Sequence, residues 1–515
     1  MNGAESLIRT LLSAGVDTCF SNPGTSEIHL VQAIDAVPEM RAVLALFEGV
    51  CTGAADGYGR MTGTPAATLL HLGPGLANGI ANLHNARRAS TPLVNLVGNH
   101  PDYHLGYDAP LTSDIETLGR NFSAWYKENS TAESIARDGA DAVSAAMTAK
   151  PGSLGQISTL VIPADACWNE ASRPVPPNPL PSRKKASGKA VDEAAQVLDA
   201  NSAILLDGPA MLEEGLAFAN RLAAATGCQV WCAGSPSRLE GGPGRGPVSR
   251  LPYFPEDILE RFKGVQKLIL AGSRAPVSFF AYQSHPSSLV PESCQVYTLA
   301  KPEEDIVGAL SDLAETLKVS KTAGYSNEVA RPGLPSGQLN LEKIGAVVAA
   351  LMPDNTIFSL DSGGGRAVFV PAQKAAPHSW LNITGGAIGQ GGPVAAGAAI
   401  AAPDRRVISL CGDGGAMYTN QALWTQAREG LDVTTVIFSN RSYGIIETEF
   451  WRLGVNEIGS KARSMFALDQ PDLDWVALAK GMGVPAGVAT TAEEFAEHLG
   501  RSLSQEGPYL IEALY

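Results

Sequence analysis

No run of lysine and arginine longer than the "SRKK" at 182–185 occurs in the chain, and the formal net charge is −14. So little clustered positive charge argues against nucleic acid or an anionic membrane as partner. No apolar stretch reaches the roughly 18 residues of a membrane span. The opening "MNGAESLIRTLL" is an amphipathic helix pattern without a signal-peptide core. Cysteine is scarce and odd in number: Cys19, Cys51, Cys167, Cys294 and Cys411 lie scattered in mainly apolar contexts, and Cys228 and Cys232 form a lone Cys-x3-Cys. Such a set reads as core thiols rather than a disulfide framework or half a metal site. A cytoplasmic protein is expected. Charged residues are only 17% against 45% hydrophobic, which suits a large, well-buried α/β enzyme better than a disordered or coiled-coil chain.

What is present divides into blocks. The 515 residues exceed one ordinary core. Two polar, Pro- and Gly-broken stretches, 172–189 and 324–338, read as linkers between blocks at 1–171, 190–323 and 339–515. Each block alternates short apolar runs with helical patterns, as in "AATLLHLGPG", "AILLDGPA" followed by "LEEGLAFANRLAAATG", and "RVISLCGDGG". The expectation is an α/β protein of three doubly wound parallel-sheet domains, the middle one Rossmann-like, with ligands at the glycine turns after the strands.

One spacing carries chemistry. "ISLCGDGGA" (408–416) ends an apolar run in Gly412-Asp413-Gly414; 25 residues later a second apolar run ends at Asn440. Alone, Gly-Asp-Gly is a common turn. Together, two hard oxygen ligands at the ends of adjacent strands can hold Mg²⁺, and the glycines admit a diphosphate close to backbone N–H groups.

This spacing resembles the thiamine-diphosphate motif, with Ser439 standing where the usual closing Asn-Asn pair has its first residue. The chain is similar along nearly its whole length to thiamine-diphosphate-dependent 2-oxo acid decarboxylases and acetolactate synthase-like carboligases, with a benzoylformate decarboxylase-like pattern as the nearest. The resemblance implies a pyrimidine-binding first block, a middle block and a diphosphate-binding third block. It implies Mg²⁺ on the Asp413 and Asn440 side chains and the Ser442 carbonyl, and thiamine diphosphate against Gly412, Gly414, Gly415, Tyr443, Gly444 and Ile445. "LDSGGGR" (360–366) would line the diphosphate through Ser362, Gly363 and Gly364, with Asp361 less defined. "TGGAIGQGGP" (384–393) would bend the cofactor over Ile388, next to Gly386. "ALFEGVCTGAADGYGR" supplies Glu48 for N1′ of the aminopyrimidine, a position for proton relay. "SNPGTSE" (21–27) brings Asn22, Pro23 and Gly24, with Thr25 where the family has an active-site serine. His71 falls on the family's strand-end histidine, a proton-transfer or substrate-contact group. Active sites shared between subunits imply a homodimer or homotetramer.

The reaction itself is less defined. Protonating the cleaved fragment releases an aldehyde, whereas capture by a second carbonyl gives an acyloin or acetohydroxy acid. Thr25 and His71 favour decarboxylation of a benzoylformate-like acid. Ala281 stands where that pattern has a second histidine, and His285 lies four residues on. That departure moves weight toward carboligation with an aldehyde acceptor, of acetolactate synthase or benzaldehyde lyase type. His100, Tyr103 and His104 in "GNHPDYHLGY" are pocket candidates, as are Tyr282, Ile445 and Ile446, which make the wall apolar. FAD on the middle block stays open, without a glycine fingerprint for it. More distant alternatives are a non-catalytic thiamine-diphosphate-binding protein and a nicotinamide dehydrogenase, the latter lacking GxGxxG at its first turn.

Overall fold

The computed structural model describes residues 1–151, 156–322, 324–326 and 328–515. Residues 152–155 of the first block, 323 at the end of the expected middle block and 327 within the expected 324–338 linker lie outside the described residues. The apolar runs form strands buried along most of their length, as Ala66–Leu70, Ser202–Leu206 and Val407–Gly412. Near-continuous apolar strands demand cover on both faces, which helices supply here.

Among the described residues three large sheets and one two-stranded pair result. The first runs 41–44, 18–22, 66–70, 93–99, 157–163, 125–128, and every pairing is parallel. The middle sheet runs 249–250, 229–232, 202–206, 267–271, 295–300, again parallel. The third runs 238–241, 378–381, 356–361, 407–412, 433–439, 509–514, 486–489. Its first strand, Arg238–Gly241, comes from the middle block and joins His378–Leu381 antiparallel, across the expected boundary. Glu240 fastens it, 2.7 Å from Arg238, 2.5 Å from Arg245 and 2.9 Å from Ser379 Oγ.

The chain leaves the first strand of each large sheet in one direction, then returns to its other side. That reversal places a switch point between Thr18–Asn22 and Ala66–Leu70 in the first sheet, and between Thr356–Asp361 and Val407–Gly412 in the third. Crevices at such reversals, beyond strand C-termini, are where open α/β sheets bind ligands.

The first and third sheets meet through helices Glu48–Thr62 and Gly391–Ala401. Side chains larger than hydrogen at Gly57 and Gly397 would collide with the carbonyls of Val394 and Ala54, so the two backbones nearly touch. The buried Arg60–Asp56 pair (2.5 Å) closes this seam by donating to the Asn382 carbonyl (2.6 Å). The expected linker 172–189 is strapped down: Ser6 Oγ donates to the Ser172 carbonyl, and Lys184–Lys185 pairs with Glu304–Asp305. All seven cysteines are buried free thiols. Among the described residues no helix is long and apolar enough to cross a membrane.

Candidate functional site

At the switch point of the third sheet, the register sets Asp361 beside Cys411 and Gly412 beside Phe438. Asp413 therefore emerges next to Asn440. Its Oδ1 accepts from Gly414 N–H (2.8 Å) and its Oδ2 from Arg441 N–H (2.7 Å), a contact made by Arg441's left-handed backbone (φ 57°). The carboxylate is buried, no lysine or arginine pairs with it among the described residues, and burial raises its pKa. A hard divalent cation alongside would offset that penalty. Asn440 is exposed at the mouth, with Oδ1 accepting from Ser442 N–H (3.2 Å). The Tyr443 ring covers Gly414 so closely that a Cβ there would collide with it.

The remaining third-block candidates gather around this turn. Ser362 Oγ accepts from Gly364 N–H (3.1 Å) and stands 3.7 Å from where a Cβ on Gly412 would be. Ile388 Cβ is equally close, 3.7 Å, to the corresponding point on Gly415. Gly363 lies open beside them and Gly386 turns with φ 77°. Gly444, Ile445 and Ile446 begin the helix Gly444–Arg452. The donor set, one buried carboxylate, one amide and backbone groups in a glycine turn, fits a divalent cation and a diphosphate.

The switch point of the first sheet holds a second cluster. Asn22 pairs with Leu70, which brings the turn through Pro23 and Gly24 beside His71. His71 Nδ1 is 2.7 Å from Glu27 Oε2, and Glu27 is fully buried. Its carboxylate also accepts from Gly24 N–H (2.9 Å) and Ser26 Oγ (2.8 Å). Glycine at 24 and 98 is what permits this: a Cβ at either would strike the imidazole or the carboxylate. Nδ1 being engaged leaves Nε2 as the working end of the ring. Glu48 opens the helix Glu48–Thr62 and is buried, its Oε2 accepting from Asn78 Nδ2 (3.0 Å). Glu48 Oε1 and His71 Cβ both come within 3.3 Å of the point where a Cβ on Gly75 would stand. Both residues therefore pack against Gly75. Among the described residues no hydrogen bond joins Glu48 to the 412–415 turn or to Asn440 of the same chain.

Other candidates stand farther out. Thr25 is exposed at the start of its turn, and its neighbour Ser26 makes the contact to His71 (3.3 Å). His100 Nε2 is buried without a partner, and burial, then His104 and His71, lower its pKa. His104 packs on His100 with ring centres 5.1 Å apart, whereas Tyr103 is 68% exposed, away from the cluster. Ala281 is exposed. His285 lies 3.8 Å from Glu256 through Nε2 and 2.9 Å from Ser284 Oγ through Nδ1. Tyr282 instead donates its hydroxyl to Glu449 (3.0 Å) on the 444–452 helix. Arg452 of that helix pairs with Glu256 and lies over the rings of Phe254 (4.2 Å) and Tyr282 (4.8 Å). Phe279, beside Phe280, rests its ring edge on Gly386.

Sequence reasoning passed over Glu27, Asn78 and Arg452. Glu27 had a signal, as the closing glutamate of the "SNPGTSE" loop. The others depend on partners far away in the chain.

Comparison with known proteins accords with this geometry. Residues 1–120 match the model of the thiamine pyrophosphate enzyme N-terminal TPP binding domain, and residues 365–513 that of the C-terminal TPP binding domain. A Mycobacterium tuberculosis protein provisionally named an acetolactate synthase large subunit is 47% identical, over 100% of this chain and 99% of its own. Benzoylformate decarboxylase of Pseudomonas aeruginosa is 30% identical over 97% and 96%. Among solved structures, a thiamine diphosphate-dependent 4-hydroxybenzoylformate decarboxylase of Rhodococcus jostii superposes with a TM-score of 0.84 at 27% identity, covering 99% and 98% of the two chains.

Proposed function

The chain belongs to the thiamine pyrophosphate enzyme family, and we propose that it carries out a thiamine-diphosphate- and Mg²⁺-dependent, non-oxidative decarboxylation of a 2-oxo acid. When bound, the cofactor supplies the ring that stores the electron pair released as the carboxylate leaves. Asp413, Asn440 and the Ser442 carbonyl would hold the metal, and the 412–415 and 362–364 turns the diphosphate. Ile388 would brace the cofactor's bend. Glu48 would hold a proton at N1′ of the aminopyrimidine, and a second copy of the chain would bring that glutamate to the Asp413 turn. This makes a homodimer or a dimer of dimers the working unit.

The observation that carries the decarboxylase reading is His71, held through Nδ1 by buried Glu27 at the strand end beside the switch point of the first sheet. A histidine so oriented can deliver a proton from Nε2 to the fragment left after CO2 departs, which releases an aldehyde. Phe279 and Phe280, with Ile445 and Ile446, offer an apolar, aromatic wall suited to an aryl 2-oxo acid. Two relatives carry such acids in their names.

The second reading is carboligation onto an aldehyde or a second 2-oxo acid. It is favoured by the exposed Ala281, by His285 engaged with Glu256 and Ser284, and by the name of the 47% identical relative.

The test is product analysis with pyruvate and benzoylformate, with and without an acceptor aldehyde, after loading with thiamine diphosphate and Mg²⁺. Aldehyde and CO2 alone support the first reading; acyloin or acetolactate supports the second. Glu48→Gln should lower turnover by about 10²–10⁴-fold, the range of general acid–base catalysis, while still binding cofactor. Full turnover in this variant would sink both readings.

A further inference from the structure

Asp361 ends the strand Thr356–Asp361 and is turned inward, away from the mouth. Its Oδ2 accepts two backbone N–H groups, from Gly389 (2.8 Å) and Gly391 (3.0 Å). Its Oδ1 is buried without a partner. Gly389 N–H belongs to the peptide bond that Ile388 itself forms, so the carboxylate grips the backbone of the bracing residue directly. The segment it grips is held at other points as well, by Asn85 on both sides of the Ala387 peptide and by Thr419 Oγ1 on the Gly389 carbonyl (2.6 Å), but the N–H that follows Ile388 is held by Asp361. Gly386 (φ 77°) and Gly389 (φ 97°) take left-handed backbone, which needs such holds to keep one geometry. At Gly391 the segment is pressed flat, because a Cβ there would meet Cys411 Sγ and Asp361 itself. Asp361 therefore ties three separate stretches together: its own strand end, the 386–391 turn, and the strand leading into Gly412–Gly415.

From this convergence, and resting on the thiamine-diphosphate reading above, we infer that Asp361 is the positioning residue that sets Ile388 against Gly415, and so fixes the bend in which cofactor is held. It touches neither metal nor diphosphate in this role. It acts through Ile388. A plain helix-capping role for the helix Gly391–Ala401 would need only the contact to Gly391. The second contact, to the peptide of Ile388, is what the inference depends on.

Removing both hydrogen bonds should weaken cofactor binding by about tenfold or more, as expected for two backbone groups left unpaired in a buried turn. The experiment titrates the apoprotein with thiamine diphosphate at fixed Mg²⁺, following tryptophan fluorescence, and records the near-ultraviolet circular dichroism of the bound cofactor. D361A should keep the far-ultraviolet spectrum, lose that affinity and change the near-ultraviolet signal. D361N keeps an acceptor of the same shape and should bind within about threefold of the parent. I388A should reproduce the D361A change, and the double variant D361A/I388A should be no worse than the poorer single variant. Parent-like binding by D361A, or multiplied losses in the double variant, would overturn the inference. If D361A does not fold, D361S takes its place: its Oγ stops one bond short of the Oδ2 that accepts both N–H groups. Parent-like affinity in D361S would overturn the inference equally. A parent protein that binds no thiamine diphosphate would instead remove the cofactor reading itself.

Discussion

The turn at Asp413 and the helix Gly444–Arg452 are neighbours in the chain, yet they are held in place by opposite means. The turn is secured by buried backbone: strand register sets Asp413 beside Asn440, Asp361 grips the Ile388 peptide, and close-packed glycines leave no slack. The helix buries none of its own residues. Long polar side chains from the middle block hold it, Glu256 on Arg452 and Tyr282 on Glu449. Buried backbone with few alternatives gives fixed geometry, which a cofactor shared across a family requires. A helix fastened from outside can be re-aimed by changing its fasteners, which would suit the substrate wall proposed above.

The sharpest break of this contrast is at Asp413. D413A should cost two to three orders of magnitude in Mg²⁺-dependent thiamine diphosphate affinity, about 3–4 kcal/mol, as for one partner lost from a buried charge pair. Cofactor titration at saturating Mg²⁺ measures it. A loss below tenfold would mean that the turn is not the cation's holder.

The two regions should also answer to pH with opposite signs. Burial pushes the pKa of Asp361 up to about 7 from an ordinary 3.8. Between those values the folded protein binds the extra proton, so this group's contribution to stability is intact below pH 4, falls as pH rises, and is lost above 7. At ~1.4 kcal/mol per unit the swing is at most about 4 kcal/mol. D361N removes it, so the apoprotein variant should gain thermal stability over the parent between pH 4 and pH 8. Equal stability across that window would mean that Asp361 is not held in its neutral form. Glu256 goes the other way: its hydrogen bond with Arg452 holds the carboxyl below its ordinary value of 4.5. That stabilisation is present at neutral pH and is lost on acidification below about 4.5.

Much of the first region is legible in sequence because its parts lie at strand ends and recur at fixed spacing. The apolar run before Gly412, the 25-residue interval to Asn440 and the glutamate opening a helix at Glu48 are all local patterns. Each is set by what one strand, turn or helix start requires. Glu27 belongs to such a pattern too, but its meaning depends on Gly98 leaving space for its carboxylate, 71 positions away (98 − 27). The second region has no local signature. Glu256 and Arg452 are 196 residues apart, and Tyr282 and Glu449 are 167 apart. Nothing in "SFFAYQSH" or "EFWRLG" alone indicates that one grips the other. The strand Arg238–Gly241 escapes notice for the same reason, since it finds its partner, His378–Leu381, only in another block's sheet.

The smallest expected effect falls on this second region. R452A removes the ion pairs to Glu256 and Glu449 and both ring contacts, but these are partly exposed groups, worth about 1–2 kcal/mol together. Thiamine diphosphate affinity and overall melting should stay near the parent's, because nothing in the turn at Asp413 depends on Arg452. Amide hydrogen exchange across 444–452 should rise by about tenfold, the equivalent of that local loss. KM for the 2-oxo acid should shift more than kcat, since the change is in the wall and leaves Glu48 and His71 in place. H285A, by contrast, removes a 3.8 Å contact to the same glutamate, a bond to Ser284 Oγ and an edge contact to Tyr282, none of them made by the helix, and should leave exchange in the helix unchanged. If R452A instead weakened cofactor binding as D413A does, the two regions would be one cooperative unit. The wall could not then be re-aimed independently of the turn that holds the cofactor.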